Sequence, residues 1–102
     1  MSFSSDRIQH SLERLIEVAS GSSGQSHHVR RLLLGIFNAY DWPFELNRLR
    51  ALDLDLVQDA LNLIAASVTA PEEIHAAIPD GDRIFQAFWK IEAEQNQREV
   101  GQ

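Results

Sequence analysis

Six residues, Val29, Leu32, Leu33, Ile36, Phe37 and Tyr40, recur at intervals of one, three and four positions. That spacing collects them on one stripe of an α-helix, whereas a strand would send alternate residues to opposite faces. The same period runs through Ile8, Leu12, Leu15, Ile16 and Ala19. It returns in Val57, Leu61, Ile64, Ala65 and Val68, and again in Ile84, Phe85, Ala87, Phe88 and Ile91. Alternation of period two occurs only in Leu52-Asp53-Leu54-Asp55-Leu56, and helical spacing takes over at Val57. The expected fold is therefore all-α, a compact single-domain bundle of four to five helices with short connectors.

Punctuation between the stripes sets the boundaries. Ser4 or Ser5 can cap a first helix over residues 5–19, which stops at Ser20-Gly21. A Gly-Ser turn leads into a second helix over 25–40, which Pro43 terminates. Gly35 lies inside that helix and suggests close approach of a neighbouring helix. Residues 47–52 read as a short helical turn, and Asp53 caps a third helix over 54–68. Thr69-Ala70-Pro71-Glu72 has the capping-box spacing and opens a short helix over 70–78. Pro79-Asp80-Gly81 is a turn before a last helix over 82–96. Residues 1–102 make one domain, with 1–5 and 96–102 expected to fray. The expected core is Leu12, Leu15, Ile16, Val29, Leu32, Leu33, Ile36, Phe37, Val57, Leu61, Ile64, Ile84, Phe85 and Phe88.

Composition narrows the function classes. The 102 residues hold 15 acids against 9 Lys and Arg, a net charge of −6. Seven of the acids and none of the bases fall within residues 51–82. A net acidic domain is a poor binder of phosphate backbones, so nucleic acid is not the expected partner. The absence of cysteine excludes disulfides and thiolate chemistry. With no apolar run of about 18 residues and no signal-peptide pattern, a cytoplasmic protein without membrane contact is expected.

The turn Gly21-Ser22-Ser23-Gly24-Gln25-Ser26 feeds a helix start, where unpaired N–H groups face outward. Gly21, Ser22, Ser23, Gly24 and Ser26, with Arg30 and Arg31 beyond them, are candidates for an anion or nucleotide site. Their spacing fits neither the P-loop nor the dinucleotide fingerprint. This run, followed by a basic pair and an apolar helix ending Phe37-Asn38-Ala39, resembles an uncharacterised family of small proteins. That family is encoded largely on phages, plasmids and integrative elements of proteobacteria. The likeness extends from Leu12 to Ile91 and includes Phe44-x-Leu46-x-x-Leu49 and Gly81-Asp82. It implies a mobile-element origin and an accessory role, with no known activity or catalytic residue. His27-His28 stand where the resemblance would place basic residues, which weakens an anion role at neutral pH.

No reaction centre is expected. The four histidines include no pair at metal-ligand spacing, and Glu72–His75 is a single Glu-x-x-His on a short segment. Neither a metal nor a cofactor is therefore expected. Ser26 adjoins His27 and His28, but consecutive helical residues point about 100° apart. Asp55 and Asp59 share a helix face beside Asn62 and are expected to be solvated. The leading expectation is a non-enzymatic interaction module. Its acidic face would be Asp53, Asp55, Asp59, Glu72 and Glu73, and partly exposed Trp42 and Trp89 would supply contact area. The partner would be another, basic protein, or a second copy in a homodimer. A sharper variant is an inhibitor that mimics nucleic acid. An anion binder built on the Gly-Ser turn is the alternative.

Overall fold

The apolar stripes become four α-helices. A computed structural model describes residues 2–100, except for the side chains of residues 99 and 100. The helices are α1 (Asp6–Ala19), α2 (Ser26–Phe37), α3 (Leu54–Thr69) and α4 (Gly81–Val100). Two 3-10 helices, Leu46–Ala51 and Ile74–Ala77, sit in the connectors. Among the described residues there is no strand. The radius of gyration is 13.0 Å, close to the ~13 Å of a compact domain this long.

Helix α2 is apolar on more than one side, because Val29, Leu32, Leu33 and Leu34 are all buried. A helix of that kind belongs in the middle of a fold. α1 packs against both α2 and α3, and α4 packs against α2 and the 3-10 helix Ile74–Ala77. The core of Ile8, Leu12, Leu15, Leu63, Phe85 and Phe88 lies between them.

Several boundaries differ from expectation for identifiable reasons. Phe3 is buried, and Glu72 Oε1 accepts hydrogen bonds from Ser2 Oγ and the Phe3 amide. Residues 2–5 are thus pinned rather than frayed, and Met1 lies outside the described residues. Ser5 occupies the N-cap of α1, but its hydroxyl donates to Ser2 O instead. Glu72 serves the N-terminal segment instead of opening a helix. Only Ile74–Ala77 is helical where residues 70–78 were expected to be. α2 ends at Phe37, three residues early, where the Asn38 side chain bonds the Asp41 amide. α4 continues through Val100; Gly101 and Gln102, also expected to fray, lie outside the described residues.

Two glycines mark close approaches. A Cβ on Gly35 would meet Trp42 O at 3.1 Å and Phe44 Cβ at 3.2 Å, so a connector, not a helix, crosses there. A Cβ on Gly81 would lie 1.7 Å from His75 O, so only glycine lets the 3-10 helix fold onto the start of α4. Asp80 before it adopts φ 57°, a left-handed conformation that aspartate tolerates.

The largest revision concerns α3. Its buried residues are Leu56, Asp59, Ala60, Leu63 and Ala66. Leu61, expected in the core, is exposed, while Val57 and Ile64 are half-buried. The helix is turned so that small Ala60 and Ala66 face inward, and its more apolar stripe faces out.

Candidate functional site

The strongest concentration of ionisable groups lies between α2 and α4. On α4 the buried stripe runs Phe85, Phe88, Glu92, placing a carboxylate at a core position. The first turns of α2 bring His27, Arg30 and Arg31 against it. Arg30 Nε donates to Glu92 Oε2 at 2.7 Å, and Arg31 Nε donates to Oε1 at 2.6 Å. His27 Nδ1 lies 2.7 Å from Oε1 without the alignment of a hydrogen bond. Burial alone would raise the Glu92 pKa, but the hydrogen bonds from Arg31 and Arg30 outweigh it and hold the pKa below the ordinary value. Arg30 Nη1 also donates to Ala19 O at 2.8 Å, satisfying a carbonyl at the end of α1. Arg31 donates to the Asn96 side chain, and its guanidinium stands 5.0 Å from the Trp42 ring centre.

Around this centre the connector adds a further shell. Arg48 Nη1 lies 3.2 Å from His27 Nε2 and 3.1 Å from His28 Nδ1, and Arg48 Nη2 donates to Glu45 Oε1 at 2.7 Å. An arginine can only donate, so the two imidazole nitrogens facing it accept. Burial, then the Arg48 charge, pushes the His28 pKa down. Trp42 packs edge-on against Trp89 at 5.5 Å, and Trp89 against Phe37 at 6.3 Å. Trp42 is therefore buried, which corrects the expectation of partial exposure there, while Trp89 is half-buried. Both rings complete the wall of the charge cluster. Glu92, sealed among these groups, acts as a structural counter-ion.

A second interior carboxylate ties α1 to α3. Asp59, expected to be solvated, is buried. It accepts from Ser11 Oγ at 2.9 Å and from Arg14 through Nε at 2.6 Å and Nη2 at 2.8 Å. Asn62 Nδ2 donates to Ser11 Oγ at 3.0 Å. The hydrogen bond and then the charge of Asp59 raise the Arg14 pKa.

The other sequence candidates separate. Glu72 accepts from Ser2 and Phe3; the Ser2 hydrogen bond comes first in lowering its pKa. Glu73 is exposed beside it. Asp53 and Asp55 are exposed at the start of α3, where the Gln25 side chain bonds the Asp53 amide and carboxylate. With Glu17 they edge an open depression of about 490 Å³ that Gly21, Ser22, Ser23 and Ser26 also line. Its cation is Arg14, already paired with Asp59. Ser26 is buried, with its hydroxyl 3.1 Å from both the amide nitrogen and the hydroxyl of Ser23. Gly24 is exposed nearby; Arg31 turns away toward Glu92, and Arg30, also paired with Glu92, donates through Nη1 to Gly21 O at 3.4 Å. Of the two arginines named with the turn from sequence, Arg30 thus reaches its Gly21 carbonyl but is already committed to Glu92, and Arg31 faces Glu92 and Asn96.

Sequence reasoning missed Glu92 and the burial of Asp59. The available signal was position: Glu92 stands seven residues after Phe85, and Asp59 three after Leu56, both on helical core spacing. No curated protein and no solved structure matches the chain. Residues 9–92, a span that ends on the carboxylate at the centre of the charge cluster, match one family description, and the chain belongs to that family of unknown function, DUF7673.

Proposed function

We propose that this chain is a non-enzymatic interaction module whose acid-edged depression receives a basic segment of another protein. Exposed Glu17, Asp53 and Asp55 surround a recess whose one cation, Arg14, is neutralised by Asp59. The recess therefore presents uncompensated negative charge on an open surface. Such a surface steers and orients a cationic partner through interactions that salt screens. The likeness of residues 21–26 to proteins of mobile elements supports an accessory role, and the net charge of −6 favours a protein partner over nucleic acid.

The test is capture from host cells at low and high salt, using the natural chain and a triple variant, Glu17→Gln, Asp53→Asn and Asp55→Asn. The expected result is a basic protein retained at low salt, released at high salt and not retained by the variant. An identical captured set from both chains, insensitive to salt, would overturn the proposal.

A further inference from the structure

Helix α3 turns an apolar seam to solvent on the side opposite its buried face. Leu54, Leu61 and Val68 are 83%, 47% and 79% exposed, and they stand seven residues apart. Half-buried Val57 and Ile64 fall three residues after the first two. Alternating steps of three and four, repeated over two heptads, make the a/d pattern by which one helix packs along another. Val57 and Ile64 lean partly on the chain's own core, which leaves Leu54, Leu61 and Val68 as the open row of the seam.

We infer that the occupant of this seam is α3 of a second copy, in an antiparallel two-fold pair. Leu61 lies midway between Leu54 and Val68, so an axis through Leu61 sets it against its own image. The same axis sets Leu54 against Val68 of the partner subunit. Charge favours this occupant. A protein of net charge −6 can pair with itself only where acid does not face acid. The seam meets that condition. Its flanking positions are Asp53 at the N-cap, then Gln58, Ala65 and Ser67, while Asp59 turns inward to Arg14; antiparallel pairing puts Asp53 at the opposite end of the seam from its own image. Small Ala65 permits close approach of the helices. Length supports a modest rather than a tight dimer. The seam spans about 21 Å at 1.5 Å per residue, and one helix of that length falls short of the standard ~800 Å² per partner. A groove beside it, lined by Phe44, Leu46 and Ile64, widens the apolar strip. Dissociation is therefore expected in the micromolar range, as for small interfaces.

The chain has no cysteine, which permits a direct test. Leu61→Cys places a single thiol on the axis, and Gln86→Cys places one on the exposed side of α4. Under mild oxidation, Leu61→Cys is expected to become a covalent dimer at least tenfold faster than Gln86→Cys. Sedimentation of the natural chain between about 1 and 500 μM is expected to show a reversible monomer–dimer equilibrium. Leu61→Glu, at a position already half open to water, is expected to remain folded by circular dichroism and monomeric across that range. A natural chain that stays monomeric at 500 μM overturns the inference. So does a dimer that survives Leu61→Glu, or equal cross-linking of the two cysteine variants. None of these outcomes changes capture of a basic partner by the charged depression, so the two proposals fail separately.

Discussion

Replacing Glu92 by glutamine isolates the contribution of the buried charge cluster. The substitution keeps shape but removes the carboxylate that accepts from both Arg30 and Arg31. Their side chains are only 9% and 13% exposed, so neither guanidinium can recover its water shell without local opening. Deleting one partner of a buried pair costs about 3–5 kcal/mol, because it strands the other charge. One amide oxygen remains able to accept, which places Glu92→Gln near the low end, about 3 kcal/mol. Against the ~5–15 kcal/mol that holds a domain of this size folded, that is a large share. It corresponds to a fall in Tm of about 12–24 °C. Asp59→Asn is the internal control. Its partner Arg14 is 55% exposed and can rehydrate, while asparagine still accepts from Ser11. About 1–2 kcal/mol is expected there. Equilibrium urea unfolding measures both, with Trp42 and Trp89 beside the cluster as fluorescent reporters. If Glu92→Gln costs less than about 1 kcal/mol, or less than Asp59→Asn, the reasoning from burial and stranded charge is wrong.

Acidification should destabilise the fold in two stages. The folded His28 pKa lies below the ordinary 6.5, so the unfolded chain takes up that proton first, and stability is full above 6.5 and declines as pH falls through the folded value. Glu92, also lowered in the folded state, adds a further decline below the ordinary 4.5. Tm measured from pH 8 to pH 4 checks the profile, and His28→Gln should flatten its upper limb. Gly81→Ala drives a Cβ to within 1.7 Å of His75 O and should cost about 2–3 kcal/mol in urea unfolding. Gly35→Ala meets Trp42 O and Phe44 Cβ only at 3.1 and 3.2 Å, and a helix-propensity gain of about 1 kcal/mol offsets that crowding, so its midpoint should stay close to that of the natural chain.

The helices were legible because their signal is local. Each stripe repeats every three or four residues, and the structure keeps all four long helices near their expected bounds. The charge cluster was not legible, because its pairs span 61 to 65 positions and no local pattern encodes them. Arg30 and Arg31 looked free to meet an anion beside the Gly-Ser turn. Only the packing of α4 against α2 reveals that Glu92 occupies them. Summing charge by segment also hid the difference between acids. Asp59 and Glu72 hold the fold together, while Asp53 and Asp55 remain on the surface.

Helix α3 shows why periodicity alone can choose the wrong face. Val57, Leu61, Ile64, Ala65 and Val68 form the more apolar stripe, yet the fold buries Leu56, Asp59, Ala60, Leu63 and Ala66. Two features favour that face in the monomer. Small Ala60 and Ala66 fit a closely packed interior, and Asp59 gains three hydrogen bonds from Ser11 and Arg14 of α1. Burying a carboxylate without those donors would cost several kcal/mol, so the inward face is specified by polar pairing as much as by oil. The outward face then keeps Leu54, Leu61 and Val68 in water, where each exposed apolar square ångström forgoes about 25 cal/mol. A helix apolar on both sides has two surfaces to cover, and within its own chain α1, with a smaller contact from α2, covers one of them. The interior charge pair determines which surface is left over, and self-pairing of α3 is the arrangement that covers it without bringing acid against acid.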